Sequence, residues 1–176
     1  MTSVRIERPE PTEYAPHYGS YIDAVPDGDP LGHLERQLET THALLAPIPP
    51  ERARFRYAPG KWSVVQVIGH LIDAERIFAY RALRFARADR TELPGFDENA
   101  YVAAGGFEDR PFASVLDELA AVRGATIALF GGLDPDALRR QGVANGHPVS
   151  VRALLYIILG HERHHLAVLR GRYGIG

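Results

Sequence analysis

His161 and His165 stand four residues apart in the stretch Gly160-His161-Glu162-Arg163-His164-His165-Leu166. On a helix this spacing sets the two imidazoles about 40° apart, one turn above the other. The same wheel puts Leu154, Ile158 and Val168 near them and Arg152, Arg163 and Arg170 on the opposite side, so both rings are expected to face the core. A buried ring nitrogen without a partner costs roughly 1–3 kcal/mol. A divalent cation satisfies such nitrogens well, because neutral imidazoles bind it at about 2.0–2.1 Å once a third ligand arrives from elsewhere in the chain. His70 is the leading candidate for that ligand. It follows the apolar run Val64-Val65-Gln66-Val67-Ile68-Gly69, and Gln66 and Asp73 share its side of the wheel, where either could orient a ligand. His164 is turned about 60° from His161, away from His165, which suits a pocket edge better than a ligand. The spacing does not match the H-E-x-x-H of zinc proteases. An i,i+4 histidine pair also arises in helices that bind nothing; what favours a metal here is the apolar setting and the third buried-looking histidine. His17, His33, His42 and His147 read as solvated or structural.

These side chains need helices to hold them, and the chain supplies four. Asp29-Pro30 is an N-cap and N1 pair opening a helix over about 30–46, with Leu31, Leu34, Leu38, Thr41 and Leu45 on one stripe and Pro47 after it. Ser63 and Gln66 form a capping box that starts a helix reaching about Arg87. Its first turns are apolar on nearly every side, as expected of an inner helix. A third helix carries Phe112, Val115, Leu116, Leu119, Val122, Thr126 and Phe130 and ends at Gly131-Gly132; a short turn follows Asp134-Pro135. Ser150 caps the last helix, expected to run to about Arg170 before Gly171, and Asn145-Gly146-His147-Pro148 reads as a turn. With no strand pattern, the expected class is all-α, a four-helix bundle with a long crossover over 88–111 between its second and third helices. Loops of that length often cover sites. Residues 1–28, rich in proline and glycine, are expected to form an extended arm anchored by Tyr14, Tyr18 and Tyr21 over a single domain at 29–176.

Composition narrows the partners. The 176 residues carry 20 Lys+Arg against 22 Asp+Glu and no cysteine. The balanced charge gives no pull toward nucleic acid or an anionic membrane, and neither is expected as a partner. Without cysteine the chain makes no disulfide, no thiolate nucleophile and no Cys-ligated zinc, so any thiol chemistry uses an external thiol. The apolar run Ala153 to Leu159 is too short to span a bilayer, and the N-terminal residues lack a signal-type apolar core. A cytoplasmic location is expected.

Three separated stretches resemble the DinB superfamily of bacterial four-helix metalloproteins, in its YfiT-like branch: Lys61 to Asp73, Leu93-Pro94-Gly95-Phe96-Asp97-Glu98-Asn99, and Gly160 to Leu166. The resemblance implies a bundle with a long crossover and an ion held by three histidines, which fall on His70, His161 and His165. It further implies nickel or zinc; iron and copper also suit imidazole ligands, and manganese is a further candidate. In some members of that family a low-molecular-weight thiol such as bacillithiol or mycothiol is the nucleophile. The leading expectation is therefore an enzyme in which the ion activates an external thiol toward a small electrophile held under the crossover. One alternative is a hydrolase with hydroxide formed at the ion. Another, outside catalysis, is a structural or sensory metal bundle, with a homodimer as its candidate assembly, in which His164, Asp73 or Asp97 completes a closed set of four ligands. Trp62, Tyr101 and Arg81 are further pocket candidates, against a plainer reading as packing or solvated helix ends.

Overall fold

The computed structural model describes residues 6–176. Its helices are α1 (Gly19–Asp23), α2 (Pro30–Leu45), α3 (Pro50–Ala53), α4 (Val64–Ala86), α5 (Glu98–Ala104), α6 (Phe112–Gly131), α7 (Pro135–Arg139) and α8 (Val151–Tyr173). Helices α2, α4, α6 and α8 are the four-helix bundle. The starts follow local chemistry. The Asp29 carboxylate accepts from the Leu31 and Gly32 amides, Ser63 and Gln66 bond each other's backbone, and the hydroxyl of Ser150 accepts from the Ala153 amide. No helix among the described residues is long and apolar enough to cross a membrane.

The core falls into two clusters. Residues from the N-terminal half of α4, such as Val64, Ile68 and Ile72, pack with Leu166, Leu169 and Tyr173 from the C-terminal half of α8. The C-terminal half of α4, with Phe78, Ala82 and Phe85, packs with Leu154, Leu155 and Ile158 from the start of α8. The two helices therefore run antiparallel. His70 and His161 fall where the clusters meet, and so do the buried polar residues Gln37, Thr41, Glu75, Arg123 and Glu162. The bundle has a polar waist between two apolar ends.

Three expectations need correction. Residues 6–28 are not simply extended: they hold two 3-10 turns, Pro11–Glu13 and Pro16–Tyr18, and α1, while Met1 to Arg5 of the expected arm lie outside the described residues. Tyr14, Tyr18 and Tyr21 pack on the core, and Arg152 donates to the Glu13 carboxylate through Nε and Nη2. The turn at Asn145-Gly146 joins two strands, β1 (Gln141–Ala144) and β2 (His147–Ser150), paired antiparallel with Ala144 opposite His147. Both turn residues have positive φ, 53° and 74°, as a type I′ hairpin requires. Lastly, α8 passes Gly171 and ends at Tyr173, where Gly174 takes the left-handed conformation. The crossover over 88–111 contains α5 and a 3-10 turn, Phe107–Asp109, and Leu93 bridges to Ala144 of β1.

Candidate metal centre

Two of the site histidines follow a glycine that lets another segment close on them. Gly69 precedes His70, and a Cβ there would lie 2.3 Å from the Phe107 ring; the missing side chain lets the crossover press against α4 beside His70. Gly160 precedes His161, and its Cβ would lie 1.9 Å from the Tyr21 carbonyl oxygen, so glycine lets the backbone of α1 lie directly on α8. That contact sets the Tyr21 ring 5.5 Å from His161. On the other flank the Trp62 ring is 4.9 Å from His70.

The three rings converge. His70 Nε2 lies 3.0 Å from His161 Nε2, and His165 Nε2 lies 3.1 Å from that same atom. One ligand atom from each of the three falls within 4.8 Å of the others. Among the described residues these nitrogens bond to nothing but one another, and three neutral rings cannot fully satisfy each other with their own protons. Burial holds all three below the ordinary histidine pKa of 6.5: His70 to about 4, His165 to about 3, and His161 well below as well; neighbouring histidines lower the last two further, His70 and His164 acting on His165, and His165, His70 and His164 on His161. The rings are thus neutral near pH 7 with lone pairs to offer. A buried, all-imidazole, uncharged donor set fits a divalent transition-metal ion, and it leaves positions open because only three protein atoms contribute.

The remaining sequence candidates separate into two groups. Gln66 belongs to the helix cap: its Oε1 accepts from the Ser63 amide at 2.9 Å and from Arg56 at 3.2 Å, and it has no bond to the histidines. Asp73 lies 3.9 Å from Arg76, its carboxyl pKa raised by burial, and it too stands apart from the ring cluster. Asp97 caps α5, accepting from Asn99 and Ala100, and Tyr101 is exposed against Phe96. His164 is exposed, with its ring 5.1 Å from His165 and 5.4 Å from Tyr21, at the edge of the site. None of Asp73, Asp97 and His164 joins the ligand group as a fourth donor. Arg81, by contrast, is buried and reaches the cavity beside the histidines.

That cavity has a volume of about 360 Å³ and is lined by His70 and His161 together with Tyr18, Tyr21, Phe78, Arg81 and residues of the crossover and hairpin, including Phe96, Glu98 and Asn145. His17, expected to be solvated or structural, also reaches it. Burial raises the pKa of both Tyr18 and Tyr21, so their hydroxyls stay protonated as donors. A larger recess of about 540 Å³ lies between α3 and the crossover, but no histidine lines it. Sequence reasoning missed the two tyrosines as pocket walls and Phe78 as its floor. The repeated Gly-His pairs, Gly69-His70 and Gly160-His161, were the signal that another segment lies close to each ring.

Behind the site lies a charge network also missed from sequence. Arg123 Nε and Nη2 donate to the two carboxylate oxygens of Glu75 at 2.9 and 2.8 Å, and Nη2 also reaches Glu162 at 2.6 Å. Glu162 further accepts from Gln37 and Thr41, each at 2.6 Å. Burial alone would lower the Arg123 pKa, but the two carboxylates carry it above its ordinary value.

The model of the DinB superfamily matches residues 33–169. A search of curated proteins finds no match. Among solved structures the fold is similar to YfiT from Bacillus subtilis, described as a probable metal-dependent hydrolase with an unusual four-helix bundle topology. That likeness has a TM-score of 0.72 at 20% identity over 93% of this chain and 95% of that one. It is also similar to a mycothiol-dependent maleylpyruvate isomerase, with a TM-score of 0.65 at 12% identity, covering 82% of this chain and 61% of the isomerase. At these identities the likeness carries the fold.

Proposed function

The chain belongs to the DinB superfamily, and on that premise we propose that His70, His161 and His165 hold a divalent metal, nickel or zinc, in an enzyme that joins a low-molecular-weight thiol to a small electrophile. The observation that carries this reading is the convergence of the three Nε2 atoms in a buried cluster next to a cavity. When bound, such an ion supplies a +2 charge beside open positions, which favours deprotonation of a thiol or a water there near neutral pH. The chain's own contributions are more specific. The neutral imidazoles add no charge to offset that of the ion. Tyr18 and Tyr21 present protonated hydroxyls to the electrophile, and Phe78 and Phe96 give a mixed cavity wall its apolar part. The absence of cysteine from the chain is compatible with a nucleophilic sulfur brought in by a cosubstrate.

Hydrolysis is the second reading, supported by the probable hydrolase to which the fold is similar; water would then take the place of the thiol. A closed structural zinc site is less well supported, since it needs a fourth protein ligand and the cluster contains three. The test is to incubate metal-loaded and metal-stripped protein with bacillithiol, mycothiol or glutathione and a chloronitrobenzene electrophile. A rate that needs both metal and thiol is expected. No rate above the stripped control overturns the proposal, and ester or amide turnover without thiol transfers the site to hydrolysis.

A further inference from the structure

Among the described residues two arginines are buried, Arg81 and Arg123, and what faces them differs. Arg123 is 1% exposed and has Glu75 and Glu162 built in beside it. Arg81 is 4% exposed, yet among the described residues no carboxylate lies within ion-pair distance of it; Nη2 donates to the Pro94 carbonyl at 2.8 Å, and the Tyr18 hydroxyl is its other polar neighbour. A guanidinium has five N–H donors and stays charged, and a cation taken out of water without an anion is strongly unfavourable. The bundle supplies carboxylates at Arg123 and none at Arg81, whose guanidinium opens on the cavity instead.

The difference lies in what Arg81 touches, because it lines the cavity that holds His70 and His161. One stripe of α4 contributes His70, Ala74, Phe78 and Arg81 to that cavity. Ala74 leaves depth in the middle, and the Phe78 ring stands edge-on to His161 at 6.0 Å. His70 and Arg81 are separated by about 16 Å along the helix axis at 1.5 Å per residue, and the arginine side chain leans back toward the helix N-terminus, which shortens the span. The cavity thus has a reactive end, an apolar middle and a cationic end.

We infer that the missing counter-ion is part of the ligand: the cavity takes a small molecule with an apolar body and a carboxylate at the end remote from the histidines, and Arg81 anchors that carboxylate. Glu98 lines the same cavity and shapes the choice of anion. A single carboxylate balances a single guanidinium, whereas a phosphate dianion would bring a surplus charge close to Glu98. Arg81 acts here on specificity and orientation. The inference relies on the preceding reading only for which end of the ligand reacts.

The test compares 3-phenylpropanoate with its neutral amide by isothermal titration calorimetry, on the full chain stripped of metal with EDTA and on the nickel-loaded chain. The wild-type chain is expected to bind the carboxylate at least tenfold more tightly than the amide in both forms. Arg81→Gln should bring the two affinities together, and Arg81→Lys should keep most of the preference. Equal affinities for the wild type, binding of neither probe, or a preference that survives Arg81→Gln would each overturn the inference. The wild-type comparison decides the matter even if a variant fails to fold. Failure of the metal reading would appear separately, as a wild-type chain that retains no ion, and would leave the stripped-chain result unchanged.

Discussion

Arg123 Nη2 meets Glu162 Oε2 at 2.6 Å in the middle of the bundle, and Glu162 is the residue after His161. The residue that helps tie α8 to α2 and α6 thus sits next to a member of the candidate metal site. Removing the cation strands two carboxylates in a dry interior. Arg123→Met should destabilise the fold by about 3–5 kcal/mol, read as a lowered urea midpoint. A loss below about 1 kcal/mol would mean that the network behaves like a solvated surface pair.

His161 bridges the other two rings, its Nε2 lying 3.0 Å from His70 and 3.1 Å from His165. Replacing any of the three with Asn should lower metal affinity by more than the roughly 10–100-fold typical of residues that only orient a ligand. His164→Asn, at the exposed edge, should leave metal stoichiometry unchanged. Elemental analysis after dialysis, with calorimetric titration of the stripped chain, checks both expectations. Retention of a full complement of ion by His161→Asn would remove this residue from the ligand set.

Gly160→Ala should separate α1 from α8, since the added Cβ has the Tyr21 carbonyl oxygen at 1.9 Å and backbone cannot turn aside as a long side chain can. The expected cost is about 1–3 kcal/mol or more, and a wall of the cavity should loosen with it. Faster cleavage between residues 6 and 28 under limited proteolysis, alongside a lowered melting temperature, would register both effects. A variant as stable and protease-resistant as the wild type would contradict the close approach.

The pH dependence of the metal-free chain follows from the buried rings. His70 and His165 are held at about 4 and about 3 by burial, against 6.5 when exposed. Between those values and 6.5 the unfolded chain binds protons that the folded chain does not, so stability rises with pH in that window. The penalty is absent above pH 6.5 and grows as pH falls through the window. Urea midpoints should drop between about pH 7.5 and about pH 5, and the drop should shrink in His70→Asn or His165→Asn. A flat profile in the wild type would mean that water already reaches the rings.

Glu13 gives a second, lower window. Burial alone would raise its carboxyl, but hydrogen bonds from Arg152, with those of Ser150 and the Glu10 backbone, hold it at about 2 instead of 4.5. A depressed carboxylate stabilises the fold above its unfolded pKa, and here that contribution is lost as pH falls from 4.5 toward 2. Glu13→Gln should therefore lower stability at neutral pH and flatten the acid limb of the stability curve below about pH 4.5.

What could be read from the chain was whatever its chemistry makes local. Asp29, Ser63 and Ser150 announced three helix starts because a side-chain oxygen within three residues of an orphan amide is enough to cap it. The histidine face of α8 was legible because helical geometry orients residues four apart without help from the rest of the fold. Glu75, Arg123 and Glu162 were not, since charged types read as solvated until partners 39 and 48 residues away are known. Gln66 misled for a related reason: the wheel placed it with His70, while its cap duty held it back at Ser63. The strands of the hairpin, four residues each, are too short to show alternation, and only the Asn145-Gly146 turn was visible. Gly171 did not stop α8, whose end was set two residues later by Tyr173, its hydroxyl bonded to the Trp62 carbonyl, and by Gly174.

His70 and His161 are 91 positions apart along the chain and adjacent only when the second and last long helices are docked. Unfolding parts His70 from the His161 and His165 pair, leaving at most two of the three candidate donors close together in the chain. An ion held by all three would therefore stabilise the tertiary structure by up to RT ln(1 + [L]/Kd), less whatever the His161 and His165 pair retains when unfolded, and the melting point would rise with free ligand concentration. Supply of that ion in the surroundings would then govern how long each molecule survives, as well as whether it works.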